Sequence, residues 1–228
     1  MNTLVIVAHP DDPEFFCGGA IARWAAAGDA IRYVIVTGGD KGSDDPDMTP
    51  ERLVALRQIE QRKAAARLGV DDIVFLGYVD GELANTLGLQ RDLCREIRRF
   101  AADRVVTTDP LTLSYHNTRV NHNDHRIIGQ AVCDALFPAA GNRMYFPELL
   151  AIGFAPHAPK ELWFSGPTMP NTLLDVTDWV DAKISAIREH PSQVKDPEGI
   201  ARRIPQGLFR MRADGSQGYF ENYRRVVL

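Results

Sequence analysis

The stretch Leu4-Val5-Ile6-Val7-Ala8-His9-Pro10-Asp11-Asp12-Pro13-Glu14 joins an apolar run to a cluster of ionisable side chains. The apolar run predicts a short buried strand, and Pro10 and Pro13 predict that regular structure stops after it. One imidazole and three carboxylates then crowd into six residues. Repulsion between the carboxylates and their desolvation both cost free energy unless a cation lies among them. A divalent metal ion is the simplest such cation.

Strand and helix patterns alternate along the chain from this point onward. The predicted strands cover residues 4–8, 31–37, 72–76, 104–108, 161–164 and 172–176. The predicted helices cover residues 16–27, 50–68, 89–102, a segment from 122–125 to 135, and 179–189 with Asp178 as its N-cap. This alternation predicts an α/β fold, a Rossmann-like, doubly wound, mostly parallel sheet with helices on both faces, in three layers. No repeat or linker interrupts the pattern, so residues 1–228 are predicted to form a single domain.

A strand order of the 3-2-1-4-5 type would place the first and fourth strands side by side. The loops after these two strands then flank the point where the winding reverses, which is where such sheets bind ligands. His9 and Asp12 lie on the first loop, and His122 and His125 follow the second. Two segments far apart in the chain are therefore expected to form one site.

His9, Asp12 and His125 make up a set of two histidines and one carboxylate. Catalytic zinc sites commonly use three protein ligands and leave a position open for water. The same set suits non-haem iron(II), so the residues leave open whether the ion is zinc, iron(II) or another divalent metal. His122 precedes His125 by three residues and would share its helix face, so that one histidine binds metal while the other faces the substrate.

Two further acids adjoin these ligands. Asp11 precedes Asp12 and could take a proton from water whose pKa a zinc ion lowers to roughly 7. Asp124 could orient His122 and favour its charged form. A charged His122 would stabilise an oxyanion and protonate a leaving amine.

These motifs resemble those of the PIG-L/LmbE-like family of zinc-dependent N-acetylglucosamine deacetylases. Residues 8–14 match the family's AHPDD-x-E motif, a Gly-Gly pair follows at 18–19, and residues 122–125 match its H-x-D-H motif. The resemblance implies metal ligation by His9, Asp12 and His125, general base catalysis by Asp11, and an electrophilic or acidic role for His122.

Weaker matches extend the resemblance further along the chain. Arg57 and Glu60 match an R-x-x-E helix, and Asp80 follows the third strand where relatives bind sugar hydroxyls. Arg57 and Asp80 are therefore predicted to contact substrate, although Arg57 could instead pair with Glu60 three residues later. Lys183 and residues 190–193 match a late K…H-x-SQ pattern.

The chain departs from the family pattern at two positions. Asn123 stands where many relatives have proline, and Val120 stands where some have tyrosine. Tyr115 is a candidate substitute for that tyrosine. These departures leave the metal ligands intact and affect the expected recognition of substrate.

The expected activity is removal of an N-acetyl group from a GlcNAc-type sugar or glycoconjugate by a zinc-dependent deacetylase. The attacking water would lose its proton to Asp11, and the leaving amine would gain one from His122 or from protonated Asp11. A metal-dependent amidase for a non-sugar or thiol-conjugated amide is one alternative, and a non-catalytic ligand-binding domain is another. The loops at residues 38–48, 109–121 and 138–160 are expected to select the substrate. The segment from Asp196 to Gln217 is expected to shape the cleft or to form a contact between subunits of a homo-oligomer.

Composition excludes several other classes. The net charge of −4 gives no bulk attraction to nucleic acid or to anionic membranes. No apolar stretch approaches the roughly 18 residues of a membrane span, and no signal peptide is evident, so a cytoplasmic location is expected. The three separated cysteines predict no disulfide framework. The glycine pairs form no GxGxxG pattern, which argues against nucleotide binding. Histidines 116, 157 and 190 are predicted to be structural or solvent-facing.

Overall fold

The computed structural model describes residues 1–115 and 118–228 of the chain. The strands are β1 (Asn2–Val7), β2 (Ala30–Thr37), β3 (Asp72–Tyr78), β4 (Arg104–Thr108), β5 (Ser114–Tyr115), β6 (Arg119–Val120), β7 (Glu161–Ser165), β8 (Thr172–Asp175), β9 (Phe209–Met211) and β10 (Gln217–Val227). The helices are α1 (Asp12–Ala26), α2 (Pro50–Arg67), α3 (Leu87–Phe100), α4 (Asn123–Asp134), α5 (Pro147–Ala151), α6 (Val180–Ile187) and α7 (Pro197–Leu208). None of the helices in this part of the chain is both long and apolar enough to cross a membrane.

The main sheet has the strand order β3-β2-β1-β4-β7-β10-β8, and β9 pairs with the amino-terminal end of β10. The first five strands in this order pair in parallel, whereas β10 is antiparallel to β7, β8 and β9. The predicted adjacency of the first and fourth strands is confirmed. The winding therefore reverses between β1 and β4.

Two hydrophobic clusters cover the two faces of the sheet. Alternate residues of β1 point to opposite faces: Leu4 and Ile6 pack with α3 and α4, and Val5 and Val7 pack with α1, α2 and α6. All four side chains are almost completely buried. The predicted three-layer arrangement, with helices on both faces of a mostly parallel sheet, is confirmed.

Helix α1 begins earlier than its sequence predicts. We expected regular structure to stop at Pro13 and resume at Phe16, but α1 starts at Asp12 and accommodates Pro13 in its first turn. Proline is well tolerated there because the amides of the first turn have no intrahelical partner. The helix is instead interrupted at Cys17, where φ is −144° and ψ is 21°.

A buried ion pair closes this interruption in α1. The Glu221 carboxylate of β10 accepts the backbone N–H groups of Gly19 and Ala20, each at 2.9 Å. Lys183 of α6 donates to Glu221 at 2.7 Å and to the Phe15 carbonyl at 2.8 Å. The backbone groups that lose their partners at the break therefore find new ones in the last third of the chain.

Helix α4 lies very close to the end of β4. A Cβ atom at Gly129 would lie 2.3 Å from the Thr108 carbonyl oxygen, so only glycine fits this position without displacement. One turn earlier, the Thr108 hydroxyl donates to the His125 carbonyl at 2.6 Å. These contacts fix the start of α4 against the edge of the sheet.

The part of the chain after β4 contains further departures from expectation. The strand β10 was not predicted, and neither was the short hairpin formed by β5 and β6. Asp178 does not cap α6 as expected, because a short 3₁₀ turn (Thr177–Trp179) precedes the helix and no side chain caps its start. Cys17, Cys94 and Cys133 are free, as predicted.

Replacing Gly129 by alanine should destabilise the protein by about 1–3 kcal/mol through overpacking. This lowers the Tm by roughly 2–4 °C per kcal/mol in a chain of this size. Gly88 in α3 is the matched control, since a Cβ there meets nothing closer than 3.7 Å. Gly88→Ala should leave the Tm unchanged or raise it, because alanine favours helix by about 1 kcal/mol. A wild-type Tm for Gly129→Ala in differential scanning calorimetry would contradict the close packing of α4.

Candidate active site

The structure brings His9, Asp12 and His125 together at the end of β1 and the start of α4. The His125 Nε2 atom lies 3.1 Å from Asp12 Oδ1 and 3.2 Å from His9 Nδ1. The His9 Nδ1 atom lies 3.5 Å from Asp12 Oδ2. The three candidate ligand atoms all lie within 4.8 Å of one another. The expected convergence of the two loops therefore takes place.

Each of the two imidazoles makes a hydrogen bond through the nitrogen that points away from the cluster. This bond decides which nitrogen can offer a lone pair to a metal ion. His9 Nε2 lies 3.0 Å from the Asp80 carboxylate, which only accepts, so Nε2 is a donor and Nδ1 is the nitrogen that faces the cluster. His125 Nδ1 lies 2.9 Å from Asn121 Oδ1. The Asn121 amide is oriented by its own donation to the Thr112 carbonyl at 2.7 Å, so His125 Nδ1 is likewise the donor.

This donor set fits a divalent metal ion. Two imidazole nitrogens and one carboxylate converge, and each imidazole is oriented from behind as metal-binding histidines usually are. Burial raises the pKa of Asp12, but the adjacent His125, through its charge and hydrogen bond, and His9 together hold that pKa well below its usual range. Asp12 is therefore ionised at neutral pH, as a ligand must be.

Asp80 and Asp124 both lie close to His9 Nε2, and Asp80 also lines the cleft. The Asp80 carboxylate contacts His9 and accepts the Lys41 amide at 3.3 Å; burial raises its pKa, but the bond with His9 lowers it to about 2. The Asp124 carboxylate accepts the Gly81 amide at 2.7 Å and lies 3.5 Å from His9 Nε2. The expected pairing of the Asp124 carboxylate with His122 is replaced by this approach to His9.

His122 faces the cleft as a neutral hydrogen-bond donor. Its Nδ1 atom accepts the Asp124 backbone N–H at 3.2 Å and so caps α4. The ring proton of the neutral form is therefore on Nε2, which lies 4.0 Å from Asp80 Oδ1. Burial and the neighbouring His9 lower the pKa of His122, although Asp124 opposes them. The charged His122 that the sequence suggested is not the form that this environment favours.

Asp11 occupies the N-cap position of α1 and lines the same cleft. Its side chain is 18% exposed, and Oδ2 lies 3.3 Å from Arg57 Nη2. Burial raises the pKa of Asp11 to about 6, against the lowering effect of Arg57. The carboxyl group is thus mostly ionised at neutral pH and can still accept a proton readily.

Arg57 was predicted to contact substrate or to pair with Glu60. The structure shows its guanidinium buried, donating to the Pro10 carbonyl at 2.6 Å and to the Gly39 carbonyl at 3.0 Å. Glu60 instead accepts the Ser192 hydroxyl at 2.6 Å. Arg57 borders the cleft, but its donors hold the loop that carries Asp11.

A cleft of about 1010 Å³ opens above these groups. Besides the site residues it is lined by Phe15, Phe16, Lys41, Gly42, Gly81, Tyr115, Thr118, Arg119, Val120, Asn121, Gln193 and Ile204. The predicted loops at 38–48 and 109–121 contribute, whereas no described residue of 138–160 does. Ile204 comes from the segment 196–217, which therefore shapes the cleft, one of its two expected roles.

The remaining histidines and Glu14 have identifiable structural partners. His157 lies 2.8 Å from the Ala102 carbonyl through Nε2. His190 is completely buried and contacts the equally buried Glu14 at 3.2 Å. Both histidines are structural, as predicted, and His116 lies outside the described residues. The sequence patterns did not identify Asn121 or Gln61. Their only sequence signal is that Asn121 precedes His125 by four residues and Gln61 follows Arg57 by four residues.

Comparison with known proteins defines the class to which this fold and site belong. Residues 4–136 match the family model described as PIG-L, GlcNAc-PI de-N-acetylase. The chain belongs to this family, which includes deacetylases of GlcNAc-type substrates.

Particular relatives support that assignment. The chain is 30% identical over 199 residues to the diacetylchitobiose deacetylase of Thermococcus kodakarensis, covering 87% of this chain and 72% of the relative. It superimposes on the N,N'-diacetylchitobiose deacetylase of Pyrococcus horikoshii, solved with its inhibitor MPG, with a TM-score of 0.87 and 29% identity over 99% of this chain and 84% of that one.

The same fold also supports different chemistry. The 4-carboxy-2-hydroxymuconate hydratase GalB of Pseudomonas putida matches with a TM-score of 0.79 and 23% identity, covering 100% of this chain and 97% of that one. At that identity the likeness shows the fold alone, and the reaction must be argued from the site.

Removing either imidazole of the candidate metal centre should abolish metal binding. Protein purified without chelator should contain about one divalent ion per chain, measured by inductively coupled plasma mass spectrometry. His9→Ala and His125→Ala should lose most of it, while His157→Ala, whose ring bonds the Ala102 carbonyl, should retain it. Undiminished metal in both ligand variants would rule out this centre.

Asn121→Ala should weaken metal binding without removing a ligand. The variant loses the hydrogen bond that holds His125 Nδ1 as a donor, and partners of this kind typically contribute about 10–100-fold to metal affinity. Competition with a chromophoric chelator measures the change in Kd. A Kd within about twofold of the wild-type value would show that Asn121 does not orient His125.

Proposed function

We propose that this protein is a zinc-dependent N-deacetylase that hydrolyses the acetamido group of a GlcNAc-type sugar or glycoconjugate. The observation that carries the proposal is the convergence of two oriented imidazoles and one carboxylate beside Asp11 in an open cleft. Membership of a family whose relatives include diacetylchitobiose deacetylases supports the reaction and the substrate class.

His9 Nδ1, Asp12 and His125 Nε2 are the groups that would hold the ion. Three protein ligands are typical of catalytic zinc sites, although iron(II) or another divalent ion also suits this set. Such an ion would polarise the acetyl carbonyl and lower the pKa of water in the cleft.

Asp11 is the proposed general base. Its carboxylate takes a proton from the attacking water, which adds to the amide carbonyl carbon. A pKa of about 6 keeps the group ionised at neutral pH while leaving it basic enough to accept that proton. Arg57 holds the Asp11 loop through the Pro10 carbonyl, so the base approaches the cleft from a fixed backbone.

His122 is the proposed oxyanion donor. Because Nδ1 accepts the Asp124 amide, the ring offers Nε2–H to the carbonyl oxygen as negative charge develops there. A neutral ring with one proton is a poor general acid, so the proton for the leaving nitrogen comes from Asp11, which has just received it. The carbon–nitrogen bond then breaks, and acetate and the free amine leave.

The size of the cleft supports a substrate larger than a single acetamido group. About 1010 Å³ is at the upper end of the range for ligand pockets. Phe16 and Tyr115, whose ring centroids lie 6.3 Å apart, offer apolar surface next to the proposed metal centre. We also propose a cytoplasmic location, which the three free cysteines support.

A panel of N-acetyl compounds tests the proposed reaction. Release of acetate should be measured with GlcNAc, N,N'-diacetylchitobiose, GlcNAc glycosides of inositol and malate, and a non-sugar thiol-conjugated amide. At least one sugar should be hydrolysed faster than the non-sugar amide. Hydrolysis of the non-sugar amide alone would favour the amidase alternative, and no hydrolysis at full metal occupancy would favour a non-catalytic binding domain.

Within the same assay, Asp11→Asn should lower kcat by about 100- to 10,000-fold at unchanged metal content, as expected for loss of a general base. His122→Ala should lower kcat by about 100- to 1000-fold, as expected for loss of one oxyanion donor. Asp178→Asn, an exposed position outside the cleft, is the control and should match the wild type. Activity of Asp11→Asn within a few-fold of the wild type would refute its role.

A further inference from the structure

The backbone of Asp11 adopts a conformation that its own sequence does not favour. Its φ of 92° lies in the left-handed region, which is unfavourable for residues with a Cβ atom and persists where surrounding contacts impose it. The other described non-glycine residues with positive φ, Ala101 and Phe146, lie at helix ends and do not line the cleft. The contacts that hold Asp11 therefore bear on the site.

The first of these contacts is made by Gln61 of α2. Its Oε1 atom accepts the Asp11 backbone N–H at 2.8 Å, and its side chain is completely buried. Water cannot replace Gln61 at this position without a rearrangement. The peptide group of Asp11 is thus tied to a helix on the same face of the sheet as α1.

Glu14 determines which end of the Gln61 amide faces Asp11. The Gln61 Nε2 group can only donate, and it donates to Glu14 Oε1 at 2.9 Å. The amide oxygen is therefore left for Asp11. The second Glu14 oxygen lies 3.2 Å from His190 Nε2; burial raises the pKa of Glu14, and this contact with His190 opposes the rise. Every member behind Asp11 is buried, and together they form a continuous chain of hydrogen bonds from His190, just beyond the end of α6, to the N-cap of α1.

These hydrogen bonds are separate from the contact that stabilises the break in α1. Lys183 and Glu221 satisfy the backbone around Cys17, whereas the Glu14, Gln61 and His190 network ends on the Asp11 peptide. A network required only for packing of α1 against α2 and α6 would not need to terminate at that peptide group.

We propose that Gln61, oriented by Glu14 and His190, is a positioning residue that holds Asp11 in its left-handed conformation and thereby directs its carboxylate into the cleft. This inference rests on the proposed function, in which Asp11 moves a proton. It assigns a role to the buried Glu14 and to residues beyond the segment 4–136, since His190 anchors the network.

Gln61→Leu removes both hydrogen bonds of the amide and is the main test. Because a displacement of about 1 Å at a reacting group can cost about 100-fold in rate, kcat should fall by about that factor. The KM and the metal content should remain within about twofold of wild type. The assay uses the panel sugar that the wild type hydrolyses fastest.

Asn2→Ala is the matched structural control. It also removes two hydrogen bonds of a side-chain amide, to the Phe100 and Ala101 carbonyls, at the amino-terminal end of β1, opposite the end that carries the site. Its kcat should equal that of the wild type. An equal loss of kcat in Gln61→Leu and Asn2→Ala would show that Gln61 acts only through stability.

An exchange of the two side chains provides a rescue. In Gln61→Glu alone, two carboxyl groups face each other across the distance of 2.9 Å that now separates the Gln61 amide from Glu14. Because this hydrogen bond loses its donor, kcat should fall. Adding Glu14→Gln restores a donor between the two positions, an acceptor for the Asp11 amide and an acceptor for His190. The double variant should therefore recover kcat to within about tenfold of wild type, and failure to exceed the single variant would contradict the proposed orientation.

Crystal structures of the wild type and Gln61→Leu give a readout independent of activity. In the variant, Asp11 should leave the left-handed region while His9 and Asp12 keep their positions. If the wild type hydrolyses no amide, the proposed function fails, but the conformation of Asp11 in the variant still decides whether Gln61 holds it. A φ near 92° in Gln61→Leu would overturn the inference.

Discussion

β1 and β4 pair in parallel, with Thr3, Leu4 and Val5 opposite Arg104, Val105 and Val106, and the site exists only because of this pairing. The carboxyl ends of the two strands meet at the point where the winding reverses. One strand leads into the loop that carries His9, Asp11 and Asp12. The other leads, through a longer connection, to the helix that carries His122 and His125. Neither segment alone holds three ligands for a metal.

A second constraint makes this convergence chemically specific. An imidazole can present either nitrogen, and the hydrogen bonds that His9 donates to Asp80 and His125 donates to Asn121 decide which nitrogen faces the cluster. In His122, Nδ1 accepts the backbone N–H of Asp124, so Nε2 carries the proton and faces the cleft. Three histidines within one cluster therefore have two different chemical roles, and their partners assign those roles.

The sequence predicted the features that depend on local pattern. The apolar runs and the Gly, Pro and Thr signals predicted the five parallel strands, β8 and most of the helices to within a few residues, because burial and capping act over short distances. The predicted start of α1 was wrong because proline in the first turn removes no hydrogen bond that the helix would otherwise make. The strand β10 was missed because its alternation is interrupted by Glu221, whose partners lie far away in the chain.

The ligand set could likewise be predicted from the spacing of residues in the sequence, whereas the groups that orient the ligands could not. Gln61, Asn121 and the true partner of Asp124 are ordinary polar residues in sequence, and their importance follows from distances across the fold. Arg57 illustrates the difference: its position on α2 is evident from the helix pattern, but its partners, the Pro10 and Gly39 carbonyls, belong to loops whose course the sequence does not reveal.

The interruption of α1 at Cys17 has a consequence for how the molecule is completed. The helix that presents Asp12 needs the carboxylate of Glu221, in the first half of the last strand, to satisfy the amides of Gly19 and Ala20. A nascent chain that has emerged only as far as β4 already contains both sides of the sheet's reversal point, yet that helix still has unpaired backbone groups. The amides of Gly19 and Ala20 can therefore obtain this partner only after β10 has been synthesised.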